Sequence, residues 1–203
     1  GLVYGIDFLR RYNKGLRVEV GRRVAVIGGG NTAIDCARAA RRLGAEVTVY
    51  YRRTDAEMPA IAEEIEEAAH EGVVFEYQTA PIGVHADADG RVRALQLVRM
   101  RQGVAEADGR RRPMPVPGSE FTIEADTVIL AIGERADLGF LEGSGVGANG
   151  HVRTTFTGAT PEPGVFACGD VAFGYGTVTQ GIATGYRVAE AVAGYMQRRR
   201  RNA

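Results

Sequence analysis

The sequence has few cysteines, no net charge and no long apolar segment. Its two cysteines, Cys36 and Cys168, lie far apart and match no CxxC or zinc-ligand spacing, which argues against a disulfide framework. Unpaired cysteines favour a reducing compartment, and we expect a cytoplasmic protein. No stretch approaches the ~18 uninterrupted apolar residues of a membrane span. Basic and acidic residues number 25 each, so no net field favours nucleic acid or a membrane surface.

Histidine is also scarce. His70, His85 and His151 have no metal-ligand or triad partner near them in the sequence, and we expect all three at the surface. The sequence therefore predicts no metal site and no catalytic acid, base or nucleophile.

The amino-terminal part of the chain alternates between apolar strands and amphipathic helices. The pattern is β-α-β-α-β, which is typical of a parallel sheet with right-handed crossovers. Leu43 ends the apolar stripe of the first crossover helix. Pro59 is placed to open the second, with Ile61, Ile65 and Ala68 facing inward. The predicted strands are 24–27, 46–51 and 73–78, a lead-in helix is 6–12, and the first crossover helix is 31–43.

The pattern then becomes antiparallel. A turn over 87–90 joins the first two strands, and a polar loop over 102–120 precedes the third. An apolar strand over 127–132 is placed to return to the parallel sheet. These features predict an α/β fold, a Rossmann-like three-layer parallel sheet with an antiparallel β-meander. The antiparallel strands are predicted at 81–85, 92–101 and 121–124.

The carboxyl-terminal residues contain fewer regular elements. A short strand is predicted over 165–167 and a final helix over 178–196, followed by Arg198–Arg201 as a solvated tail. The apolar stripe of that helix consists of Val178, Ile182, Tyr186, Ala189, Val192 and Met196.

Gly28, Gly30 and Ala33 have the G-x-G-x-x-A spacing, directly between a strand and a helix. There the first glycine permits a tight turn, the second lets the backbone approach a pyrophosphate, and the small third residue allows close packing. Asn31 and Thr32 add side-chain donors at a helix N-terminus, which favours phosphate. The sequence therefore predicts a dinucleotide site. The alternative is a glycine turn needed only for packing, with Asn31 as the helix cap.

The second strand ends at Arg52 and Arg53, where an NAD site commonly has an acidic residue that binds the ribose. A carboxylate would repel a 2′-phosphate, whereas guanidinium groups bind one through paired, charge-assisted hydrogen bonds. The pattern therefore predicts NADPH as the ligand. The alternative is a solvated strand end.

The chain contains, in order and over nearly its whole length, the segments VIGGGNTAIDCAR, VYYRR, EMPA, GRRRPMPVPGSEF, ADTVILAIGE and GVFACGDV. Together they resemble the small (beta) subunit family of NADPH-dependent glutamate synthase and related FAD-dependent pyridine nucleotide-disulfide-oxidoreductase-like proteins. The resemblance implies the NADPH-binding part of a flavoprotein oxidoreductase in electron transfer and glutamate biosynthesis. NADPH would pass hydride to FAD, and electrons would go on through iron–sulfur clusters to a large synthase-type or other electron-accepting subunit. The sequence leaves open whether the protein forms a homodimer.

The same resemblance implies roles for residues at matching positions. The pyrophosphate would be held by Gly28, Gly30, Asn31, Thr32 and Ala33, and the 2′-phosphate by Arg52 and Arg53. The backbone contact near the ribose or nicotinamide would come from Ala131, Ile132 and Gly133. The ribityl or phosphate region of the flavin would be bound at Gly169 and Asp170, and its isoalloxazine end would meet Thr177 and Val178. Thr177 is also a good helix N-cap, while Asp170 has the alternative of capping its own loop.

Two parts of the family pattern are missing from this sequence. Only 23 residues precede Val24 in this sequence, and they contain neither a glycine-rich FAD unit nor a cysteine-rich iron–sulfur region. We therefore expect a fragment: an NAD(P)H-binding domain over 1–132 and the carboxyl-terminal portion of an FAD-binding domain over 133–203. FAD would be held only in the complete protein. Cys168 stands where the family would have alanine or glycine, and we expect it to be a small packed side chain.

Two other functions are compatible with these patterns. The first is a non-enzymatic NADP(H)-binding or docking module without flavin, which visible flavin absorbance of the protein would exclude. The second is a thiol oxidoreductase that uses Cys36 and Cys168, although the absence of a CxxC pair counts against it.

Overall fold

The computed structural model of the protein describes residues 1–105, 111–133, 136–148, 150–174 and 176–201. The chain divides into two units, Gly1–Gly133 and Glu134–Ala203, which we call the first and second units. The assignment of the two units to an NADPH domain and a partial FAD domain stays a prediction.

The first unit follows the predicted alternation and contains two additional strands that the sequence did not indicate. Its helices are α1 (Gly5–Asn13), α2 (Asn31–Arg42) and α3 (Ala62–His70), and a 3-10 turn spans Asp55–Glu57. The predicted strands are β2 (Arg23–Ile27), β3 (Glu46–Tyr50), β4 (Val74–Glu76), β5 (Thr79–Ala86), β6 (Val92–Ala105), β8 (Phe121–Glu124) and β9 (Thr127–Leu130). The additional strands are β1 (Leu2–Tyr4) and β7 (Arg111–Pro115).

A parallel sheet with the order β1-β9-β2-β3-β4 forms the centre of the first unit. From β2 the chain moves outward to β3 and β4, and it then returns through β9 to the other side of β2. The predicted return strand is therefore confirmed. The direction of winding reverses between β2 and β9, and such a switch point leaves a crevice at the carboxyl ends of the strands.

Alternate residues of the parallel sheet enter two different apolar cores. Val26 of β2 packs with Ile34 of α2 in a core that the helices cover. Its neighbour Ile27 packs with Leu95 of β6 on the opposite face of the sheet. Helices, parallel sheet and antiparallel sheet therefore form three layers, which confirms the predicted α/β fold.

The antiparallel layer is larger than the sequence indicates. Strand β6 pairs with β5 along one edge and with β8 and then β7 along the other. The polar loop predicted over 102–120 is wrong in part, because β6 extends to Ala105 and β7 occupies Arg111–Pro115. Residues 106–110 of that prediction lie outside the described residues. Residues 100–105 of β6 and the whole of β7 are mostly exposed on both faces, so these segments lack the apolar alternation by which a strand is recognised.

Two predicted helix faces also need correction. Leu43 is not part of the buried stripe of α2, because it is the exposed C-cap residue of that helix. Ile61 is exposed and precedes α3, which begins at Ala62 and not at Pro59. Ala68 is buried and Ile65 packs partly against the same core, as predicted.

The second unit contains β10 (Gly147–Ala148), β11 (His151–Val152), α4 (Asp170–Phe173) and α5 (Val178–Arg201). In place of the strand predicted over 165–167, the structure has an isolated bridge between Ala159 and Phe166. Gly145, Gly147 and Gly150 also have G-x-G-x-x-G spacing, but they lie just before and within the β10–β11 hairpin and not at a strand–helix turn. None of the helices among the described residues is both long enough and apolar enough to cross a bilayer.

The face of α5 that packs is not the one its apolar residues indicate. Val178, Ile182, Tyr186 and Met196 are exposed, whereas Thr184 and Val188 are buried. The reason is a loop that approaches the other face: a Cβ at Gly158, which has φ +78°, would lie 2.3 Å from Val188, and Gly169 donates its N–H to the Thr184 hydroxyl at 3.1 Å. The predicted stripe is therefore wrong, and Arg198–Arg201 continue the helix as exposed residues.

Asp126 joins the beginning of β9 to the beginning of β2. Its Oδ2 accepts the main-chain N–H groups of Arg22 at 2.9 Å and Arg23 at 2.8 Å. The hydrogen bond from the Arg23 backbone, supported by that from Arg22 and by the charge of Arg23, outweighs the effect of burial and lowers the pKa of Asp126. The ionised carboxylate therefore contributes to the register of the two strands.

We predict that Asp126→Asn lowers the free energy of unfolding at neutral pH by about 1–2 kcal/mol, because a neutral amide accepts these bonds more weakly. The folded-state pKa lies below the unfolded value, so this stability is full above about pH 4 and is lost as the pH falls through the folded-state pKa. Chemical denaturation across pH should show the gap between wild type and variant shrinking in acid. The exposed Asp89→Asn is the control, and a gap that persists at low pH would contradict the prediction.

Candidate functional site

The turn after β2 is determined by a close approach between the ends of β2 and β9. Gly28 has φ +147°, and its N–H donates to the carbonyl oxygen of Tyr50 at 3.2 Å. A Cβ at Gly28 would lie 2.2 Å from the carbonyl oxygen of Ala131. Ala131 donates its own N–H to Ile27 at 2.8 Å, so it cannot move away without breaking the sheet. Gly28 therefore permits the turn, in agreement with the role expected of a first glycine.

Gly30 lies in front of α2, and its surroundings differ from those of Gly28. Its backbone is extended (φ −87°, ψ 174°), and its carbonyl oxygen accepts the N–H of Ala33 at 2.9 Å where the helix begins. A Cβ built on Gly30 meets no atom of the described structure within 4 Å. This open space lies at the N-terminus of a 12-residue helix, where an anion is stabilised by the macrodipole and by free N–H groups.

Asn31, Thr32 and Ala33 form the first turn of α2. Asn31 does not cap this helix, because the N-cap residue is Gly30; its Oδ1 instead accepts the N–H of Ile61 at 2.9 Å and holds the start of α3. Thr32 is half-buried, and Ala33 is buried against Gly28. The alternative role of Asn31 as the helix cap is therefore wrong, and its contact with a pyrophosphate stays a prediction.

The two arginines after β3 have different surroundings. Arg52 is exposed, whereas Arg53 is only 9% exposed. Nε of Arg53 lies 3.3 Å from the carbonyl oxygen of Arg111 and 3.9 Å from Oε1 of Glu57. The structure therefore presents Arg52 to solvent and holds Arg53 against neighbouring segments. That either residue binds a 2′-phosphate stays a prediction.

Glu57 connects the segments around this loop. Its Oε2 accepts the Thr54 hydroxyl at 2.9 Å and the Thr54 N–H at 3.3 Å, and its main-chain oxygen accepts the Tyr51 hydroxyl at 2.8 Å. Burial by itself raises the pKa of Glu57, but hydrogen bonds from Thr54, from the Arg111 N–H and from the Gln102 amide outweigh it and lower the pKa. Glu57 is therefore a charged anchor at neutral pH.

Ala131, Ile132 and Gly133 follow β9 at the same edge of the sheet as the glycine turn. Ala131 is in contact with Gly28 through the close approach described above, and Ile132 is 70% exposed. Gly133 has φ +105°. The first unit thus brings together the glycine turn, the residues after β9 and the arginines after β3, all at the carboxyl edge where β2 and β9 form the switch point.

The sequence did not indicate two residues that shape this edge, Tyr51 and Arg111. The buried ring of Tyr51 packs on Gly29, where a Cβ would lie 2.5 Å from the ring. Arg111 contacts Arg53 through its carbonyl oxygen. For the anchor Glu57 a signal was present, since Thr54 and Glu57 have the spacing of a capping box, and both of its hydrogen bonds form.

In the second unit, the residues predicted at the flavin lie at two helix starts. Gly169 has φ +70° and precedes α4, in which the exposed Asp170 is the first residue. Thr177 and Gln180 cap α5 reciprocally: the Thr177 N–H donates to Oε1 of Gln180 at 2.7 Å, and the Gln180 N–H donates to the Thr177 hydroxyl at 3.3 Å. The predicted N-cap is therefore confirmed, and Val178 after it is 82% exposed.

The cysteines and histidines do not form a reactive cluster in the described part of the chain. Both cysteines are free thiols: Cys36 is buried, with its Sγ 3.5 Å from the Gly5 carbonyl oxygen, and Cys168 is exposed. The prediction that Cys168 is packed is wrong, because its loop runs along the surface of the second unit. His70 and His85 are exposed and His151 is half-buried. No group of three or more potential metal ligands occurs among the described residues.

Comparison with known proteins identifies the family to which this chain belongs. The sequence profile of the pyridine nucleotide-disulphide oxidoreductase family matches residues 2–189. The NADP(+)-dependent formate dehydrogenase subunit beta of Moorella thermoacetica is 45% identical over 201 residues, covering 97% of this chain and 28% of that protein. The glutamate synthase (NADPH) small chain of Escherichia coli (strain K12) is 36% identical over 185 residues, covering 87% of this chain and 39% of that protein. The chain thus spans well under half the length of these relatives.

A solved structure supports the same conclusion for the fold. FprA of Mycobacterium tuberculosis in complex with NADPH superposes with a TM-score of 0.80, covering 98% of this chain and 60% of that chain at 17% sequence identity. Since the profile match extends over both units, the chain belongs to the pyridine nucleotide-disulphide oxidoreductase family.

Proposed function

We propose that the first unit binds NADPH at the carboxyl edge of the parallel sheet, and that the complete protein passes hydride from NADPH to FAD. The observation that carries this proposal is the open space at Gly30, which lies at the N-terminus of α2 and at the switch point between β2 and β9. A pyrophosphate placed there would accept N–H groups of the helix, and Gly30 has no side chain of its own to occupy that space.

The strand order supports the orientation of the ligand. From the glycine turn, β3 lies on one side and β9 on the other. The adenosine end would therefore extend toward Arg52, and the nicotinamide end toward Ala131–Gly133. Arg52 is exposed for contact with the 2′-phosphate, and the half-buried acid of this loop, Glu57, is already bonded to Thr54 and lies near Arg53. This arrangement favours NADPH over NADH.

The second unit has features that suit the flavin end of an FAD site. The N-terminus of the 24-residue helix α5 is exposed at Thr177 and Val178, and a helix N-terminus stabilises negative charge. Asp170 is exposed at the start of α4 and is available to the ribityl or phosphate region. When bound, FAD supplies the redox chemistry, and the side chains of this chain supply binding and orientation.

Onward electron transfer is the finer part of the proposal. The two relatives described above are a beta subunit and a small chain by name. We infer that the complete protein delivers electrons, through iron–sulfur clusters in a further region or partner, to a larger subunit in the cytoplasm. A glutamate synthase-type partner is the first one to test, because both the sequence motifs and a 36% identical relative point to it.

We predict that Gly30→Val abolishes NADPH binding without unfolding the protein. Valine fits the extended backbone at this position and costs at most about 1 kcal/mol as an N-cap residue, but its side chain fills the space that the pyrophosphate needs. Isothermal calorimetry and circular dichroism measure the two effects separately. Gly28→Ala is the contrasting variant, and we expect it to lose at least about 2 kcal/mol of stability through backbone strain and overlap with Ala131. Normal NADPH affinity in folded Gly30→Val would refute the proposed pyrophosphate site at Gly30.

We also predict that Arg52→Ala weakens NADPH binding about ten- to a hundred-fold and leaves NADH binding unchanged, because only NADPH carries the 2′-phosphate. Arg53→Ala should weaken NADPH binding too, but with a loss of stability, since Arg53 is packed against Glu57 and Arg111. Titration of both nucleotides into each variant measures this. Arg17→Ala, an exposed arginine before β2 at the opposite edge of the sheet, is the control. Equal affinities of the wild type for NADPH and NADH would contradict the proposed preference for NADPH.

For flavin, we predict that the 203-residue chain takes up FAD weakly and does not oxidise NADPH with artificial acceptors. Ligand sites normally enclose ~70–90% of a ligand, and the exposed helix starts of the second unit do not. Visible absorbance after FAD titration and dialysis checks this. In a longer protein with a glycine-rich FAD unit upstream, Asp170→Ala should reduce FAD retention, with the exposed Glu190→Ala as control. Stoichiometric FAD in the chain alone would contradict the prediction.

A further inference from the structure

An arm of the antiparallel sheet reaches the loop that follows β3. This β6–β7 arm consists of residues 100–105 and Arg111–Pro115, in which Gln102 pairs with Pro113. Alternate residues of a strand point to opposite faces, so Arg111 shares the face of Pro113 and Gln102, whereas Arg112 lies on the other face. Both arginines are exposed.

Three contacts join the β6–β7 arm to the loop. The Gln102 amide donates to Oε2 of Glu57 at 3.3 Å, and the Arg111 N–H donates to Oε1 of Glu57 at 3.4 Å. The carbonyl oxygen of Arg111 accepts Nε of Arg53 at 3.3 Å. Both main-chain polar groups of Arg111 are therefore engaged by the loop, which places its Cα beside the guanidinium group of Arg53.

The position of Arg111 beside the loop affects how much positive charge the loop offers to an anion. The carboxylate of Glu57 lies 3.9 Å from Nε of Arg53, so part of the positive charge at Arg53 is balanced within the protein. Arg52 is then one exposed cation of the loop, and Arg111 is a second one, brought in from a strand about sixty residues further along the chain. A 2′-phosphate carries more charge than one guanidinium group neutralises, and forked guanidinium donors suit its oxygens.

We propose that Arg111 is a further specificity-determining residue, whose guanidinium group binds the 2′-phosphate of NADPH together with Arg52. The inference rests on the proposed NADPH site and adds a residue from outside the Rossmann-like strands. Glu57 is the positioning residue in this arrangement, because it holds the Arg111 backbone and the Gln102 side chain against the loop.

Arg111→Gln and Arg112→Gln form a matched pair of variants on the two faces of β7. Titrated with NADPH and NADH, Arg111→Gln should bind NADPH about three- to ten-fold more weakly and NADH normally, a loss that is moderate because the side chain is exposed. The loss should shrink as salt is added, since screening weakens exposed charge pairs. Arg112→Gln should leave both affinities unchanged. Equal effects of the two variants on NADPH would overturn the inference.

Two further measurements separate the causes of a negative result. Arg111→Lys retains the charge and should keep more NADPH preference than Arg111→Gln; an equal loss in both variants overturns a charge-based role. If the wild type itself fails to prefer NADPH, the proposed function fails. If it prefers NADPH and Arg111→Gln retains that preference in full, only the role of Arg111 fails. Because the hydrogen bonds of Arg111 described here involve its main chain, we expect all three variants to match the wild-type thermal unfolding midpoint.

Discussion

The site depends on the close approach between the end of β2 and the end of β9. Ala131 is fixed by its hydrogen bond to Ile27, and only a glycine at position 28 leaves room for its carbonyl oxygen. Because β9 returns beside β2, the chain must turn sharply at this point before it starts α2, which packs back on the sheet. The crevice, the exposed helix N-terminus and the residues after β9 therefore have one geometric origin.

The walls of this crevice are held by hydrogen bonds between the glycine turn and the segment before α3. Asn31 accepts the N–H of Ile61, and the carbonyl oxygen of Gly29 accepts the N–H of Ala60 at 3.1 Å. The Tyr51 ring covers Gly29 from the side of β3. These contacts pair polar backbone groups around the turn with partners inside the protein. The space next to Gly30 is the part of the turn that stays open to a ligand.

The distribution of charge around the site fits binding and orientation better than acid–base catalysis. Glu57 is an ionised anchor, and Arg52 and Arg111 are exposed cations on one side of the sheet. Cys36 is buried next to Gly5, so a substrate cannot reach it without local opening, which disfavours a thiol mechanism. A site of this kind agrees with the proposed binding of NADPH, in which the protein supplies binding and orientation and leaves the redox chemistry to cofactors.

The sequence by itself determined four of the five strands of the central sheet, the glycine turn and the arginines after β3. These features depend on local spacing: apolar runs, G-x-G-x-x-A and the end of a strand. Tertiary structure decided what local pattern does not encode. Arg53 became buried through Glu57 and Arg111, β7 formed although its exposed residues show no alternation, and α5 turned Thr184 and Val188 inward because glycines let a loop approach that face. Each of these outcomes depends on a partner distant in the sequence, and only the fold brings the two together.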